Sequence, residues 1–217
     1  MRTSWHTVDH RPAVTALGHH GGGPMTKRLI GLDGEMSDSE LADGAVLVQI
    51  GVAFDATERF SAILGWPEGS YFKTDRAMAV HGIDPATIAA ADPPAEVDAQ
   101  LEQWLLARGA DSDKRALVPV GYNVGAFDLP FVRAYLPRTS QLLSRRVVDL
   151  NAFCLAYEGQ VPYEGSLPTF SGWKRLAKRY AAEKLAAVGL EESWHDAGYD
   201  AAAAILQVEF FTSLVGR

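Results

Sequence analysis

Apolar runs early in the chain have the length and the alternation of β-strands. Lys27–Asp33 and Ala45–Phe54 are the clearest, and the second reads AVLVQIGVAF, which is typical of a strand in a sheet interior. Arg59–Leu64 predicts a third strand. Because these three strands follow one another with short connections, the fold should open with a sheet meander.

The second half of the chain alternates between strand and helix patterns. Apolar Val97, Leu101, Trp104 and Leu105 fall on one face of a helix that begins after the prolines at 93 and 94. Two further strands are predicted at Ala116–Tyr122 and Arg146–Leu150. The other predicted helices are Thr74–Val80, Phe127–Tyr135, one that follows the strand Arg146–Leu150 and ends at Tyr157, one from Trp173 to about Glu183 and one from about Ala197 to Leu214. A Pro/Gly-rich connection lies at Gly159–Gly172. A meander followed by alternation predicts an α/β protein with a mixed sheet flanked by helices.

Composition is that of one globular domain: 217 residues, 47% hydrophobic and 22% charged. We expect residues 1–25, with four histidines and the run Gly21–Gly23, to form a disordered tail, and residues 26–217 to form the domain. The net charge of -7 disfavours a broad electrostatic grip on polyanions. It leaves room for a small site whose positive charge comes from metal ions.

The single cysteine, Cys154, lies between Phe153 and Leu155 and has no partner within the chain. This predicts a reducing compartment, the cytoplasm, and a buried packing residue rather than a catalytic thiol. Neither a signal segment nor a membrane-spanning run is apparent, so no membrane partner is expected.

The first candidate for chemistry is the stretch LIGLDGEMS at Leu29–Ser37. Alternate residues of a strand share a face, so Asp33 and Glu35 would point the same way. Two like charges side by side cost free energy unless a cation lies between them, and a divalent ion with oxygen ligands is the usual remedy. The alternative is an Asp-Gly turn with a solvated acidic pair.

Two further motifs carry carboxylates. In GYNVGAFDLPFV, residues 121–132, Asp128 falls in the first turn of a helix, where it could serve the site or only begin the helix, with Asn123 as a turn residue. In SWHDAGYD, residues 193–200, Asp196 would cap the last helix and make His195 and Asp200 neighbours across its N-terminus. A His–Asp pair of this kind can also be a capping pair without function.

Together, the order D-x-E, N-x-x-x-F-D and H-x-A-x-x-D resembles that of the DEDD exonucleases of the histidine subtype, which share a ribonuclease H-like fold. The resemblance covers about Thr26 to Phe211 and includes the AVHGI segment at Ala79–Ile83. It implies a 3′–5′ exonuclease that binds the 3′ end of single-stranded RNA or DNA and releases 5′-nucleotides. It is also compatible with a homodimer and with a polymerase or repair partner.

By this resemblance, two Mg²⁺ or Mn²⁺ ions would be held by four carboxylates, with His195 as general base. The ligands would be Asp33, Glu35, Asp128 and Asp200. Oxygen ligands suit such hard cations, and the imidazole changes charge near neutrality. The runner-up is a proofreading subunit, and a non-catalytic binding module on the same fold is a third interpretation.

The substrate contacts that the resemblance implies are Gly34, Met36, His81 and Asn123. Met36 could instead be a packing residue and His81 a turn residue. Met36-Ser37 after the glutamate and the spacing from Asn123 to Asp128 are closer to oligoribonuclease than to proofreading subunits.

Other residues have two interpretations each. A basic stripe, defined by Lys174, Arg175, Lys178 and Arg179, could guide a phosphate backbone or form a solvated face. Asp149 is better explained as a helix cap than as a ligand, and Trp194 and Tyr199 could stack on a base or pack in the core.

Overall fold

The computed structural model describes residues 27–111, 115–158 and 169–214. Its five strands are β1 (Arg28–Met36), β2 (Leu47–Ala53), β3 (Arg59–Ile63), β4 (Leu117–Gly121) and β5 (Val148–Asp149). They form one sheet in the order β3-β2-β1-β4-β5. The first three strands pair antiparallel, whereas β4 runs parallel to β1 and β5 parallel to β4. The predicted mixed sheet is therefore confirmed, and the predicted tail, residues 1–25, lies outside the described residues.

Helices flank this sheet. Within the described residues they are α1 (Asp75–His81), α2 (Pro85–Ala90), α3 (Pro94–Leu106), α4 (Asp128–Tyr135), α5 (Pro137–Leu142), α6 (Leu150–Tyr157), α7 (Phe170–Ala187) and α8 (Ala197–Ser213). No helix in the described part of the chain is both long and apolar enough to cross a membrane.

Several predicted boundaries were wrong. α7 begins at Phe170 rather than Trp173, because the Thr169 side chain caps it by accepting from the Gly172 N–H, so the end of the predicted connection is helical. The rest of that connection, residues 159–168, lies outside the described residues. β5 is shorter than predicted because Asp149 caps α6 at once. The helices α2 and α5 were not predicted at all.

The core has two sides, and alternate residues of β1 face each of them. Ile30 and Leu32 belong to the larger cluster, which includes apolar residues of α3, α4 and α5. Gly31 faces the opposite side, where a Cβ at this position would lie 1.9 Å from the Ala201 carbonyl oxygen of α8. The strand alternation therefore also directs Asp33 and Glu35 to the α8 side.

Small residues let α8 lie directly on the sheet. A Cβ on Gly51 of β2 would come within 1.8 Å of the Ala197 carbonyl oxygen, and one on Gly198 within 2.7 Å of the Ser61 Cβ. Real Cβ atoms do not approach so closely, so these glycines set the distance between helix and sheet. The beginning of α8 is thereby held against the strands that carry the acidic pair.

Candidate functional site

Asp33 and Glu35 lie within a continuous strand. Gly34 pairs with Ile50 of β2, and β1 continues to Met36, so the alternative Asp-Gly turn does not form. Asp33 lies opposite Gly51 and Glu35 opposite Gln49, and the register shifts directly after Glu35. Such irregularities at the end of a strand often redirect side chains near functional sites. Both carboxylates are thus presented on one face beneath the start of α8.

Asp128 reaches the same strand from the other side of the sheet. Asn123 follows β4 in the left-handed conformation, with φ of 56°, and its carbonyl oxygen accepts the Phe127 N–H at 2.9 Å. This turn begins α4 at Asp128, whose buried Oδ1 accepts the Gly34 N–H at 2.9 Å. The backbone between Asp33 and Glu35 is therefore hydrogen-bonded to the carboxylate of Asp128.

The start of α8 has the predicted capping geometry. The Asp196 side chain accepts the Tyr199 N–H at 2.9 Å, and the His195 backbone N–H donates to Asp200 Oδ2 at 3.0 Å. His195 itself has φ of 71°, a conformation uncommon outside glycine. The exposed imidazole is thereby held on a sharply turned backbone next to the half-buried Asp200.

The four carboxylates share one electrostatic environment. Burial, followed by the Asp200 and Asp128 charges, raises the pKa of Glu35 from 4.5 to about 8. Burial also raises the pKa of Asp128 to about 7, although the Gly34 N–H opposes the shift. The pKa of Asp33 is raised well above its ordinary range by burial and then by Asp128, Asp200 and Glu35. The cluster therefore resists holding all its negative charges without a compensating cation.

The donor atoms fit such a cation. One carboxylate oxygen each of Glu35 and Asp200 and one ring nitrogen of His195 all lie within 4.8 Å of one another. The second oxygen of Asp200, Oδ1, is buried and has no hydrogen-bond partner among the described residues. A buried, unpaired carboxylate oxygen is costly unless a ligand satisfies it. Hard divalent cations prefer this kind of oxygen-rich donor set.

Gln49 lies next to the carboxylate cluster and was not among the residues predicted from the sequence. Its buried amide donates to Asp196 Oδ2 at 2.9 Å and accepts the Ala197 N–H at 3.2 Å, so it clamps the cap and the first N–H of α8. The signal was one polar residue inside the apolar run of β2. Because Gln49 lies opposite Glu35, it ties the acidic strand pair to the helix that carries Asp200.

The basic stripe divides into two parts. Lys174 and Lys178 are half-buried on α7, whereas Arg175 and Arg179 are exposed. The Lys178 Nζ lies 4.0 Å from the centre of the Trp194 ring. Burial raises the pKa of both Asp33 and Asp200, and the Lys178 charge opposes that rise. Lys178 is thus one cation of the stripe that acts on the carboxylate cluster.

The four predicted substrate-contact residues lie in different surroundings. Gly34 is buried beside Asp128, and Met36, 5% exposed, packs in the larger core cluster, as the packing interpretation expects. His81 ends α1, where its Nδ1 accepts the Ile83 N–H at 3.0 Å. This contact fits the interpretation of His81 as a turn residue. Asn123 is exposed at its turn. Gly34 is hydrogen-bonded to a carboxylate of the cluster, since its N–H donates to Asp128.

The remaining interpretations are also decided by local contacts. Asp149 accepts the Asn151 N–H at 2.9 Å and caps α6, as predicted. Tyr199 is 2% exposed and packs edge-on against Trp194, which favours the packing interpretation for both rings. Cys154 is buried, as expected for a packing residue.

Known structures share this fold. Exonuclease I of E. coli, in a zinc-bound complex with single-stranded DNA, superposes with a TM-score of 0.61 at 18% identity over 89% of this chain and 42% of the other. The cell-death related nuclease CRN-4 gives 0.55 at 16% identity over 88% and 65%. The chain thus spans less than two thirds of either protein. No protein-family model and no curated protein sequence matches it. The chain therefore shares the fold of these two nucleases.

Proposed function

We propose that this chain is a metal-dependent 3′–5′ exonuclease of the DEDD class, histidine subtype, that hydrolyses single-stranded nucleic acid. The observation that carries the proposal is the convergence of Asp33, Glu35, Asp128 and Asp200 with His195, delivered by β1, α4 and the start of α8. Exonuclease I and CRN-4 have the same fold, and exonuclease I has been crystallised with single-stranded DNA, which makes DNA the first substrate to test.

The four carboxylates would hold two Mg²⁺ or Mn²⁺ ions, which when bound supply positive charge to the scissile phosphate and acidify the attacking water. His195 would accept the proton of that water, because its imidazole is exposed beside Glu35 and Asp200. The water oxygen would bond to phosphorus while the P–O3′ bond breaks, and the departing O3′ would take up a proton from solvent to leave a 3′ hydroxyl on the shortened strand. The product is a 5′-nucleotide.

Residues around the cluster have supporting roles in this proposal. Gln49 positions the start of α8, and the hydrogen bond from His195 N–H to Asp200 sets the imidazole next to the ligands. Lys178 would offset part of the negative charge that the substrate phosphate brings towards the carboxylates. A proofreading subunit with a polymerase partner would use the same site, and sedimentation of the purified chain tests the homodimer.

The test of the activity is a time course with 5′-labelled single-stranded DNA and RNA of several lengths, with Mg²⁺, with Mn²⁺ and with chelator. We expect ladders that shorten from the 3′ end and vanish with chelator. Asp200→Asn should abolish turnover while keeping the fold, because asparagine has nearly the same shape and lacks the negative charge. The matched control is Asp43→Asn, an exposed aspartate in the 3₁₀ turn Leu41–Asp43, which should retain full activity.

Three results would count against the proposal. Activity of Asp200→Asn equal to that of the unaltered protein would remove this carboxylate from the site. Shortening from the 5′ end would contradict the polarity. Oligonucleotide binding without cleavage under either metal would favour the non-catalytic module.

A further inference from the structure

A second polar site lies between α4, the residues that follow α5 and the start of β4. A cavity of about 390 Å³ is lined by three arginines, Arg115, Arg133 and Arg145, together with Ser140, Ser144 and two leucines. Arg115 directly precedes the region where β4 begins, and the first residue of β4, Leu117, pairs with Arg28 at the start of β1. Ser144 of the lining is hydrogen-bonded to Leu117 at the start of β4, whereas Leu129 directly follows Asp128 at the start of α4. The cavity therefore extends along α4 from the residue next to Asp128 towards the start of β4.

The cavity concentrates positive charge in an acidic chain. The three arginines are exposed, and none of them forms an ion pair with another described residue. Lys27 adds a fourth cation, since its Nζ donates to Ser144 Oγ at 3.2 Å. Among the described residues, no acidic side chain lines the cavity. Such a group of like charges is unfavourable unless an anion neutralises it.

Ser144 provides a fixed donor within this group. Its side chain is buried, and its backbone N–H is bonded to the Leu117 carbonyl oxygen at 2.6 Å. Its Oγ accepts from Lys27 and from the Arg146 N–H at 3.0 Å, which occupies both lone pairs of the hydroxyl. The hydroxyl proton therefore remains for an acceptor, such as an anion in the cavity.

We propose that this cavity, the arginine pocket, binds a phosphate group. Arginine pairs bidentately with phosphate oxygens, and every charged group here is a donor, so the pocket matches an acceptor-only anion. The phosphate can come from the backbone of a nucleic-acid strand whose 3′ end occupies the carboxylate site, or from a free nucleotide or inorganic phosphate. The first source rests on the proposed function, whereas the second does not.

The test compares the double variant Arg133→Glu/Arg145→Glu with a charge-matched control, Arg59→Glu/Arg76→Glu, whose arginines are exposed elsewhere. Circular dichroism and thermal melting establish that both fold. Binding is measured in chelator, so that no turnover is needed, by calorimetry with inorganic phosphate and by fluorescence anisotropy with labelled single strands of 4 and 20 nucleotides.

We expect the phosphate affinity of the pocket variant to fall at least tenfold while the control keeps its affinity. If the strand is the source, binding of the 20-mer also weakens at least tenfold, and binding of the 4-mer weakens less because it offers fewer phosphates. The slope of log K against log salt then falls by about 0.7 for each backbone phosphate that the variant no longer neutralises. If the source is a free phosphate, both strands bind as before. A pocket variant that matches the control for phosphate and for both strands overturns the proposal.

The two proposals fail separately. Loss of phosphate binding in the pocket variant supports the arginine pocket even if no exonuclease activity is found. Conversely, 3′–5′ cleavage by the pocket variant tests the carboxylate site alone, because that variant keeps all four carboxylates and His195.

Discussion

Replacing Glu35 with glutamine should stabilise the metal-free protein at alkaline pH. The folded state raises the pKa of Glu35 from 4.5 to about 8, mainly by burial and by the charges of Asp200 and Asp128. Between these two pH values the folded protein keeps a proton that the unfolded chain has released. The contribution of Glu35 to stability is therefore greatest below pH 4.5 and falls as the pH rises towards 8.

The size of this effect follows from the pKa shift. At pH 8 it corresponds to a decrease of about 4 kcal/mol in the free energy of unfolding, and at pH 5 to less than about 1 kcal/mol. Glu35→Gln removes the ionisable group and with it this pH dependence. For a domain of this size, about 4 kcal/mol is on the order of 10 °C in melting temperature.

The assay is thermal unfolding in chelator from pH 5 to pH 8 for the unaltered protein and for Glu35→Gln, with Glu191→Gln as an exposed control. The melting temperature of the unaltered protein should fall across this range, and the control should follow it. That of Glu35→Gln should fall less, with part of the pH dependence left because the pKa values of Asp33 and Asp128 are also raised. Adding Mg²⁺ should stabilise the unaltered protein more than Glu35→Gln. Parallel pH profiles for all three proteins would refute the electrostatic account of the cluster.

Three further changes test the parts around the cluster. His195→Asn, which suits a φ of 71°, should keep metal-induced stabilisation but slow turnover roughly 10²–10⁴-fold, and unchanged rates would assign proton removal elsewhere. Gln49→Leu should lower kcat while leaving the affinity for oligonucleotide within a few-fold, because the start of α8 is no longer held in place. Gln49→Glu keeps the acceptor but loses the donor, so it should not restore kcat. Gly51→Ala should destabilise the fold by more than about 2 kcal/mol in denaturant titration, since its Cβ would meet the Ala197 carbonyl oxygen at 1.8 Å.

Local patterns in the sequence predicted much of this site. Strand alternation placed Asp33 and Glu35 together, and the capping rule placed His195 beside Asp200, because both depend on residues close in sequence. The hydrogen bond from Gly34 to Asp128 could not be predicted in this way, since it joins residues from separate elements.

Elements with weak local signals were missed for a physical reason. Helices α2 and α5 have six residues each, too few to show a helical period, and both begin with a proline that also suits a turn. Similarly, the arginine pocket combines Arg115, Arg133 and Arg145 only after β4, α4 and the residues following α5 have packed together. Neither charge nor hydropathy along the chain marks such a site.

The position of α8 on the glycines of β1 and β2 also determines when the site can form during synthesis. The acidic strand pair leaves the ribosome early, but Asp200, His195 and the Gln49 clamp come together only after α8 has emerged and docked. A nascent chain that lacks α8 therefore has an incomplete carboxylate set. The proposed nuclease activity would therefore begin only after this helix has docked.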